Sequence, residues 1–235
     1  KVIAVSDLVY QYLQSNFAIN AEKLELVYEF PNEKVLERKS ANASSLFSIP
    51  QNAFLIGGCG TIDWRKGTDL FIQVAKKVIS VNQEIHFLWL GGNLEYKTYL
   101  QIEQDLRKLE LTANVHFVGS QSNPQDYFER FDLFLMTSRE DPFPLVCLEN
   151  AQLGNPIICF EGATGSEIYI NDETGKVVPY MDTQAMANAV LHYYKNQDLL
   201  QAAGEKIKQA VSDYTIEKSG QQILNILKEL KVKTV

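Results

Sequence analysis

The stretch T-S-R-E-D-P-F-P-L-V-C-L-E-N-A-Q-L-G-N-P, residues 137–156, decides how we interpret the fold. It follows the apolar run 131–136, crosses a polar loop with two prolines, and enters a segment of helical spacing that stops at Gly154. The order is therefore strand, loop and helix. At the carboxyl edge of a parallel sheet, such a loop presents free backbone N–H groups and a positive helix end to an anionic ligand.

Two acids, Asp141 and Glu149, bracket this loop with seven residues between them. Glu149 is expected about one turn inside the helix, where its two oxygens can accept hydrogen bonds from the vicinal hydroxyls of a ribose or hexose. Prolines stiffen the loop between the acids, so its amides are held ready for a ligand. These amides are those of Phe143, Leu145 and Val146. The alternative is that either acid only caps the helix, and the residues alone favour neither interpretation.

Strands and helices alternate from residue 53 onward. Strand-like runs occupy 53–59, 85–90, 115–118, 133–136 and 157–160, with segments of helical spacing between them. This alternation predicts an α/β fold with a doubly wound parallel sheet whose ligand loops lie at its carboxyl edge. Three consecutive helices are predicted to follow, at 182–196, 197–212 and 215–232.

A second loop, G-G-C-G-T-I-D-W-R-K-G at residues 57–67, follows the first strand of this sheet. Its glycines let the backbone approach a ligand closely, and Arg65 and Lys66 place positive charge beside a helix amino end. The loop matches neither G-x-G-x-x-G nor a Walker loop, so the motif is weak by itself. Two solvated surface cations explain it equally well.

The segment D-P-F-P-L-V-C-L-E, residues 141–149, with N-A-Q-L-G-N-P-I-I after it, resembles the acid-x7-acid signature of retaining GT-B glycosyltransferases. Within that group it is similar to the glycosyl transferases group 1 type, also called glycosyltransferase family four. The first acid of the signature is usually Glu and is Asp141 here, whereas Glu149 matches the second. The resemblance covers most of the chain. It implies the Rossmann-like, nucleotide-sugar-binding half of a GT-B enzyme that transfers a sugar from a nucleoside diphosphate sugar to an acceptor hydroxyl.

The resemblance also implies roles for individual residues. Lys66, with Arg65, would neutralise charge on the departing diphosphate, Glu149 would hold the ribose, and Asp141 would hold the sugar. The family often has Arg where this chain has Thr61, and the sequence leaves open whether Arg65 replaces it. The predicted catalytic residues are Lys66, Arg65, Asp141 and Glu149. The predicted donor-binding residues are Gly60, Thr61, Gly67, Ser120, Phe143, Pro144, Leu145 and Val146.

Four regions are predicted along the chain. Residues 1–32 resemble the tail end of the family's amino-terminal domain and its interdomain link, 33–50 is a polar linker or loop, 51–213 is the nucleotide-sugar-binding domain, and 214–235 is a carboxyl-terminal helix. By this interpretation a missing amino-terminal domain holds the acceptor, which is a sugar, a lipid or another hydroxyl, and the fragment alone is inactive. The alternative is that the first strands simply edge a single domain.

Composition limits the possible partners. A formal net charge of -7 argues against nucleic acid, because binding backbone phosphates needs a basic face. The three cysteines, Cys59, Cys147 and Cys159, have no metal-ligand spacing and indicate reduced core thiols in a cytoplasmic protein. No metal and no cofactor are expected, only the nucleotide sugar as substrate. Peripheral membrane association of the full-length protein, and the identities of base, sugar and acceptor, are left open. A GT-B epimerase and a non-catalytic binding module remain as rivals.

Overall fold

Two parallel sheets organise the chain in the computed structural model, which describes residues 1–31 and 49–232. The smaller sheet pairs β1 (Val2–Ala4) with β2 (Leu24–Leu26). Between them lie α1 (Asp7–Phe17) and a short 3-10 turn (Ala21–Lys23). Most of the predicted linker falls at 32–48, outside the described residues, so the predicted domain boundaries stay predictions.

The larger sheet has six strands, all parallel to their neighbours. They are β3 (Phe54–Cys59), β4 (Ile85–Leu90), β5 (Val115–Phe117), β6 (Leu133–Met136), β7 (Ile157–Phe160) and β8 (Gly175–Val178). Their spatial order is β5-β4-β3-β6-β7-β8, so the chain moves outward from β3 in one direction and then from β6 in the other. The point between β3 and β6 is where ligands bind in open parallel sheets. The predicted doubly wound sheet is confirmed.

Helices cover both faces of this sheet. They are α2 (Thr68–Ile79), α3 (Lys97–Lys108), α4 (Gln125–Phe128), α5 (Leu145–Leu153), α6 (Thr183–Lys195), α7 (Gln197–Ala210) and α8 (Ile216–Val232), with a 3-10 helix at Gly165–Tyr169. One buried cluster includes Phe71, Trp89 and Val190, and a second includes Phe134 and Leu148 on the opposite face. Because both faces are covered, β6 and β7 are buried at every position.

The sequence prediction of five strands missed the sixth, β8. Gly175–Val178 has only four residues, and two of them, Lys176 and Val177, are half-buried. An edge strand this short carries neither the continuous apolar run of a central strand nor a regular alternation. Its place in the sheet is fixed by pairing with β7.

Tyr28 joins the first part of the chain to the larger sheet. Its ring packs against Phe143 and Tyr214, with ring centroids 5.4 and 5.5 Å apart. Its carbonyl accepts a hydrogen bond from the Ser219 hydroxyl of α8 at 2.8 Å. The last helix therefore returns to the segment after β2, and both lie next to the loop that follows β6.

Candidate functional site

The loops after β3 and β6 meet at the carboxyl edge because these strands are neighbours. The N–H of Arg139 donates to the carbonyl of Arg65 at 2.8 Å, and the Thr137 hydroxyl donates to the carbonyl of Lys66 at 3.2 Å. Gly67 has φ 67°, and a Cβ there would lie 1.9 Å from the Thr137 carbonyl oxygen. Only glycine lets the two loops approach this closely.

Lys66 and Asp141 form the central contact of the site. The ammonium Nζ lies 2.5 Å from Oδ2 of Asp141, a residue that is 7% exposed. Arg65 is farther away, with Nη1 3.7 Å from the same oxygen and a hydrogen bond of 3.3 Å to the carbonyl of Glu140. Both predicted cations therefore converge on the first acid, with Lys66 in direct contact and Arg65 nearer to solvent.

The backbone of Asp141 is anchored to the loop after β7. Its N–H donates to the carbonyl of Ala163 at 2.8 Å, and its own carbonyl accepts from Gly165 N at 3.3 Å. The carboxylate is thus held between the β3 loop and the β7 loop. Removing either charge of the Lys66–Asp141 pair would leave the other poorly solvated.

Glu149 is the fifth residue of α5, half-buried, and has no hydrogen-bond or ion-pair partner within residues 1–31 and 49–232. Burial raises the pKa of its carboxyl to about 7. The N-cap position of α5 is Pro144, and no side chain of the described residues caps the helix. Capping therefore explains neither acid. A half-buried, unpaired acid with a raised pKa is typical of a functional position.

The first amides of α5 are free to bind a ligand. The N–H groups of Phe143, Leu145 and Val146 have no acceptor in the part of the chain that the structure describes. Pro144 contributes only its carbonyl, which accepts from Cys147 N at 3.0 Å. The Phe143 side chain is buried against Tyr28, so this residue can offer a ligand only its backbone.

The other predicted donor-binding residues are engaged in holding their loops. The Thr61 hydroxyl donates to Asp63 Oδ2 at 2.6 Å, and Oδ1 of the same acid accepts from Lys66 N at 2.8 Å. The carbonyl of Gly60 accepts from the indole of Trp89 at 3.0 Å. Ser120 follows β5, two strands away from β3, and donates through both N–H and hydroxyl to the carbonyl of Gly92.

Two site residues escaped the sequence analysis. Arg139, buried in the β6 loop, forms a two-pronged ion pair with Asp69 of α2 at 2.9 and 2.8 Å. Hydrogen bonding from Arg139 is the main cause of the lowered pKa of Asp69. Glu29, half-buried after β2, has its pKa raised by burial and then by the charge of Asp141. Arg139 lies in the stretch 137–156, but nothing in its spacing indicated Asp69, and no sequence signal indicated Glu29.

A groove of about 770 Å³ opens beside Arg65 and Asp141. Its other wall is α1, including Leu8 and Tyr12. Within residues 1–31 and 49–232, no cluster of three or more His, Cys, Asp or Glu side chains could hold a metal ion. Across the same residues, none of the helices has the length and apolar character needed to cross a membrane.

Comparison with known proteins identifies relatives of the chain. A family model described as glycosyl transferases group 1 matches residues 53–196, more than half of the sequence. The O-antigen biosynthesis glycosyltransferase WclY of Escherichia coli is 29% identical over 142 residues, or 60% of this chain and 38% of that protein. The lipopolysaccharide core biosynthesis mannosyltransferase LpcC of Rhizobium leguminosarum bv. viciae is 23% identical over 225 residues, or 94% of this chain and 62% of that protein. The chain spans less than two thirds of either relative.

Solved structures share the fold. Sucrose-phosphate synthase from Thermosynechococcus elongatus superposes with a TM-score of 0.85 at 22% identity, covering 99% of this chain and 58% of that one. Anabaena Alr3699/HepE in complex with UDP and glucose gives a TM-score of 0.85 at 19% identity, covering 97% of this chain and 62% of that one. At such identities the likeness concerns the fold.

Proposed function

Because the chain belongs to the glycosyl transferases group 1 family, we propose that it forms the donor-binding part of a retaining glycosyltransferase. The bond between the anomeric carbon of a nucleoside diphosphate sugar and its diphosphate breaks, and a bond to an acceptor hydroxyl oxygen forms. Retention is proposed from the acid-x7-acid signature. Relatives named for O-antigen and lipopolysaccharide core biosynthesis support an acceptor in polysaccharide or glycoconjugate synthesis.

One observation carries the proposal. Lys66 after β3 meets Asp141, Glu149 and the free amides at the start of α5, all after β6, at the point where the strand order reverses. A helix amino end with a nearby ammonium suits a diphosphate. An unpaired carboxyl suits hydroxyl groups. These are the two chemical parts of a nucleotide-sugar donor.

Each residue has a specific role in this proposal. Lys66, supported by Arg65, stabilises the negative charge that grows on the departing diphosphate, a type of contribution worth about 2.7–4 kcal/mol per group in other enzymes. Glu149 accepts hydrogen bonds from the ribose, and Asp141, with the backbone of residues 143–146, holds the transferred sugar. Ser120, after β5, is proposed to lie near the nucleobase, as the family resemblance implies. No step of the proposed reaction uses a metal ion, and transfer that persists in excess EDTA is the corresponding test.

The reacting part of the acceptor is proposed to be held mainly by a facing amino-terminal domain, since the relatives are longer than this chain. Holding the acceptor oxygen near the anomeric carbon can supply about 7–11 kcal/mol of the barrier. We therefore expect residues 1–235 alone to bind donor without transferring it. We also propose a cytoplasmic setting, where such donors are made and where the three thiols stay reduced.

A thermal-shift screen against UDP, GDP, ADP, CMP and their sugars tests donor binding. UDP is the first choice, because the similar Anabaena structure contains UDP and glucose. At about 100-fold saturation the ligand should add roughly 2.7 kcal/mol of stability. Glu149→Ala should then reduce the binding free energy of the best ligand by about 1.5–3 kcal/mol, measured by calorimetry, while the protein stays folded. If no nucleotide stabilises the chain, or if the variant binds as tightly as the wild type, the donor-site assignment is wrong.

Product analysis on the full-length protein separates the remaining candidates. A transferase gives a glycosylated acceptor whose anomeric configuration matches the donor. An epimerase gives an isomerised or hydrolysed donor, and a binding module gives no product at all. No specific observation in the site favours either rival.

A further inference from the structure

Trp64 is a large aromatic side chain exposed at the rim of the candidate site. It belongs to the loop after β3 and is 68% exposed. The guanidinium carbon of Arg139 lies 4.8 Å from the centre of its ring system. One face of the indole is therefore covered by a cation, and its high exposure leaves the other face open to solvent.

The buried Arg139 contacts both the backbone and the ring of Trp64. Arg139 donates from Nη1 to the carbonyl of Trp64 at 2.5 Å, while its fork binds both oxygens of Asp69. The same guanidinium thus contacts the backbone and the ring of Trp64. Arg139 as a whole residue is 8% exposed. Tyr180, 51% exposed, donates its hydroxyl to the carbonyl of Arg139 at 3.3 Å. A rigid aromatic surface loses little conformational entropy when a ligand stacks on it.

We propose that the free face of Trp64 binds a pyranose ring of the acceptor saccharide. The assignment to the acceptor rests on the proposed function, whereas sugar binding itself does not. The electron-rich face of an indole attracts polarised C–H groups, and a pyranose presents several of these on one face. Trp64 precedes Arg65 and Lys66 directly. A sugar stacked there would lie beside the proposed donor diphosphate.

The surroundings of Trp64 favour a sugar over other aromatic-binding ligands. The Arg139 guanidinium lies against the ring, and the chain neighbours Asp63 and Arg65 are charged, a polar setting that suits a sugar better than the broad apolar patch of a protein or lipid interface. The donor base is expected near Ser120 after β5, on the other side of the loop. Trp64 is tied instead to Arg139 after β6 and, through it, to Tyr180 after β8.

Fluorescence provides a direct test, because the chain has two tryptophans and the other, Trp89, is 1% exposed. Acrylamide quenching therefore reports mainly on Trp64. Maltotriose, cellotriose and α-1,6-mannotriose serve as probes, each to about 10 mM, which detects dissociation constants in the millimolar range. At least one should protect Trp64 from quenching. If none does, the proposal is wrong.

Variants locate the effect by calorimetry with the protecting trisaccharide. Trp64→Ala should lose about tenfold or more in affinity, a typical size for one aromatic contact, and Trp64→Phe should retain part of it. Tyr96→Ala, which removes an aromatic ring of 66% exposure elsewhere, is the matched control and should bind like the wild type. Equal binding by Trp64→Ala and wild type would overturn the proposal.

UDP titration of the same variants separates this inference from the proposed function. UDP affinity should be equal in Trp64→Ala and wild type. If a trisaccharide protects Trp64 while no nucleotide binds, sugar binding by Trp64 is supported and the proposed donor site is wrong. If UDP binds and every trisaccharide leaves Trp64 open to acrylamide, the donor site is supported and the proposed sugar binding by Trp64 is wrong.

Discussion

The two edges of the six-stranded sheet both carry charged side chains but use them differently. At the amino edge, Arg130 Nη2 lies 3.2, 2.7 and 2.8 Å from the carbonyls of residues 50, 51 and 53, and Asp132 Oδ2 accepts from Leu55 N at 2.7 Å. At the carboxyl edge, Glu149 and the first amides of α5 have no partner in the described ranges 1–31 and 49–232. Paired groups hold backbone, and unpaired groups remain available to a ligand.

Neither shifted pKa values nor cavity size distinguishes the two edges. Burial raises the pKa of Asp132 at the amino edge and that of Glu149 at the carboxyl edge. A depression of about 700 Å³ lies over Arg130, and the groove beside Asp141 measures about 770 Å³. What differs is that the carboxyl edge, beside its own ion pairs, also carries groups without a partner among the described residues, namely Glu149 and the first amides of α5.

The largest expected effect follows from removing the ammonium of Lys66 at the carboxyl edge. Lys66→Ala should weaken nucleoside diphosphate binding about 10- to 150-fold, the size of one charge-assisted hydrogen bond, and leave nucleoside binding nearly unchanged. The loss should shrink as salt rises. Calorimetry with UDP and uridine measures both. Lys176→Ala, which removes a surface cation paired with Asp172, is the control. Equal losses for the two ligands would remove Lys66 from the diphosphate site.

At the amino edge, the corresponding change should affect stability alone. Arg130→Ala removes three hydrogen bonds to backbone carbonyls and the ion-pair partner of Asp132, and should cost about 2 kcal/mol in denaturant unfolding. UDP affinity should stay as in the wild type. Arg130→Lys keeps the charge and loses the planar fork, so it should restore only part of the stability. A clear loss of UDP affinity in Arg130→Ala would mean that the two edges are coupled.

A smaller effect concerns the pH dependence of Glu149. Its folded-state pKa of about 7 is above the usual value of 4.5, so its ionisation costs stability as pH rises through 7. Gln cannot ionise, so the stability of Glu149→Gln relative to the wild type should increase by about 1–2 kcal/mol as pH rises from 5 to 8. Thermal unfolding across this range measures the gain. A difference between the two proteins that is constant with pH would contradict a buried, unpaired carboxyl.

The smallest effect is expected from the histidine pair of β4 and β5. Nδ1 of His86 lies 3.2 Å from Nε2 of His116, and burial lowers the pKa of His116 to about 4. A lowered histidine pKa means that its stability contribution is lost as pH falls from 6.5 toward 4. At pH 5, His116→Gln should lose less folding stability than the wild type, by about 1 kcal/mol or less, because the ring is only half-buried. Identical acid unfolding of variant and wild type would show that the pair is not titrating.

The prediction from sequence was strongest where burial is continuous. β6 and β7 are apolar over their whole length because the sheet is covered on both faces, and both were predicted within a residue or so. β8 was missed because an edge strand with a half-buried lysine has no such signature. Asp141, Glu149, Arg65 and Lys66 could be singled out as candidates because short motifs carry their spacing along the chain.

By itself, then, the sequence determined the alternation of strands and helices, the family resemblance and the identity of four candidate catalytic residues. Only the tertiary structure decided that Lys66 contacts Asp141, 75 residues away, while Arg139 turns to Asp69 and orients Trp64. It also decided that Glu149 is half-buried and unpaired rather than a helix cap. The physical reason is that local spacing fixes elements, whereas side-chain partners depend on which strands become neighbours, and that order is set by long-range packing.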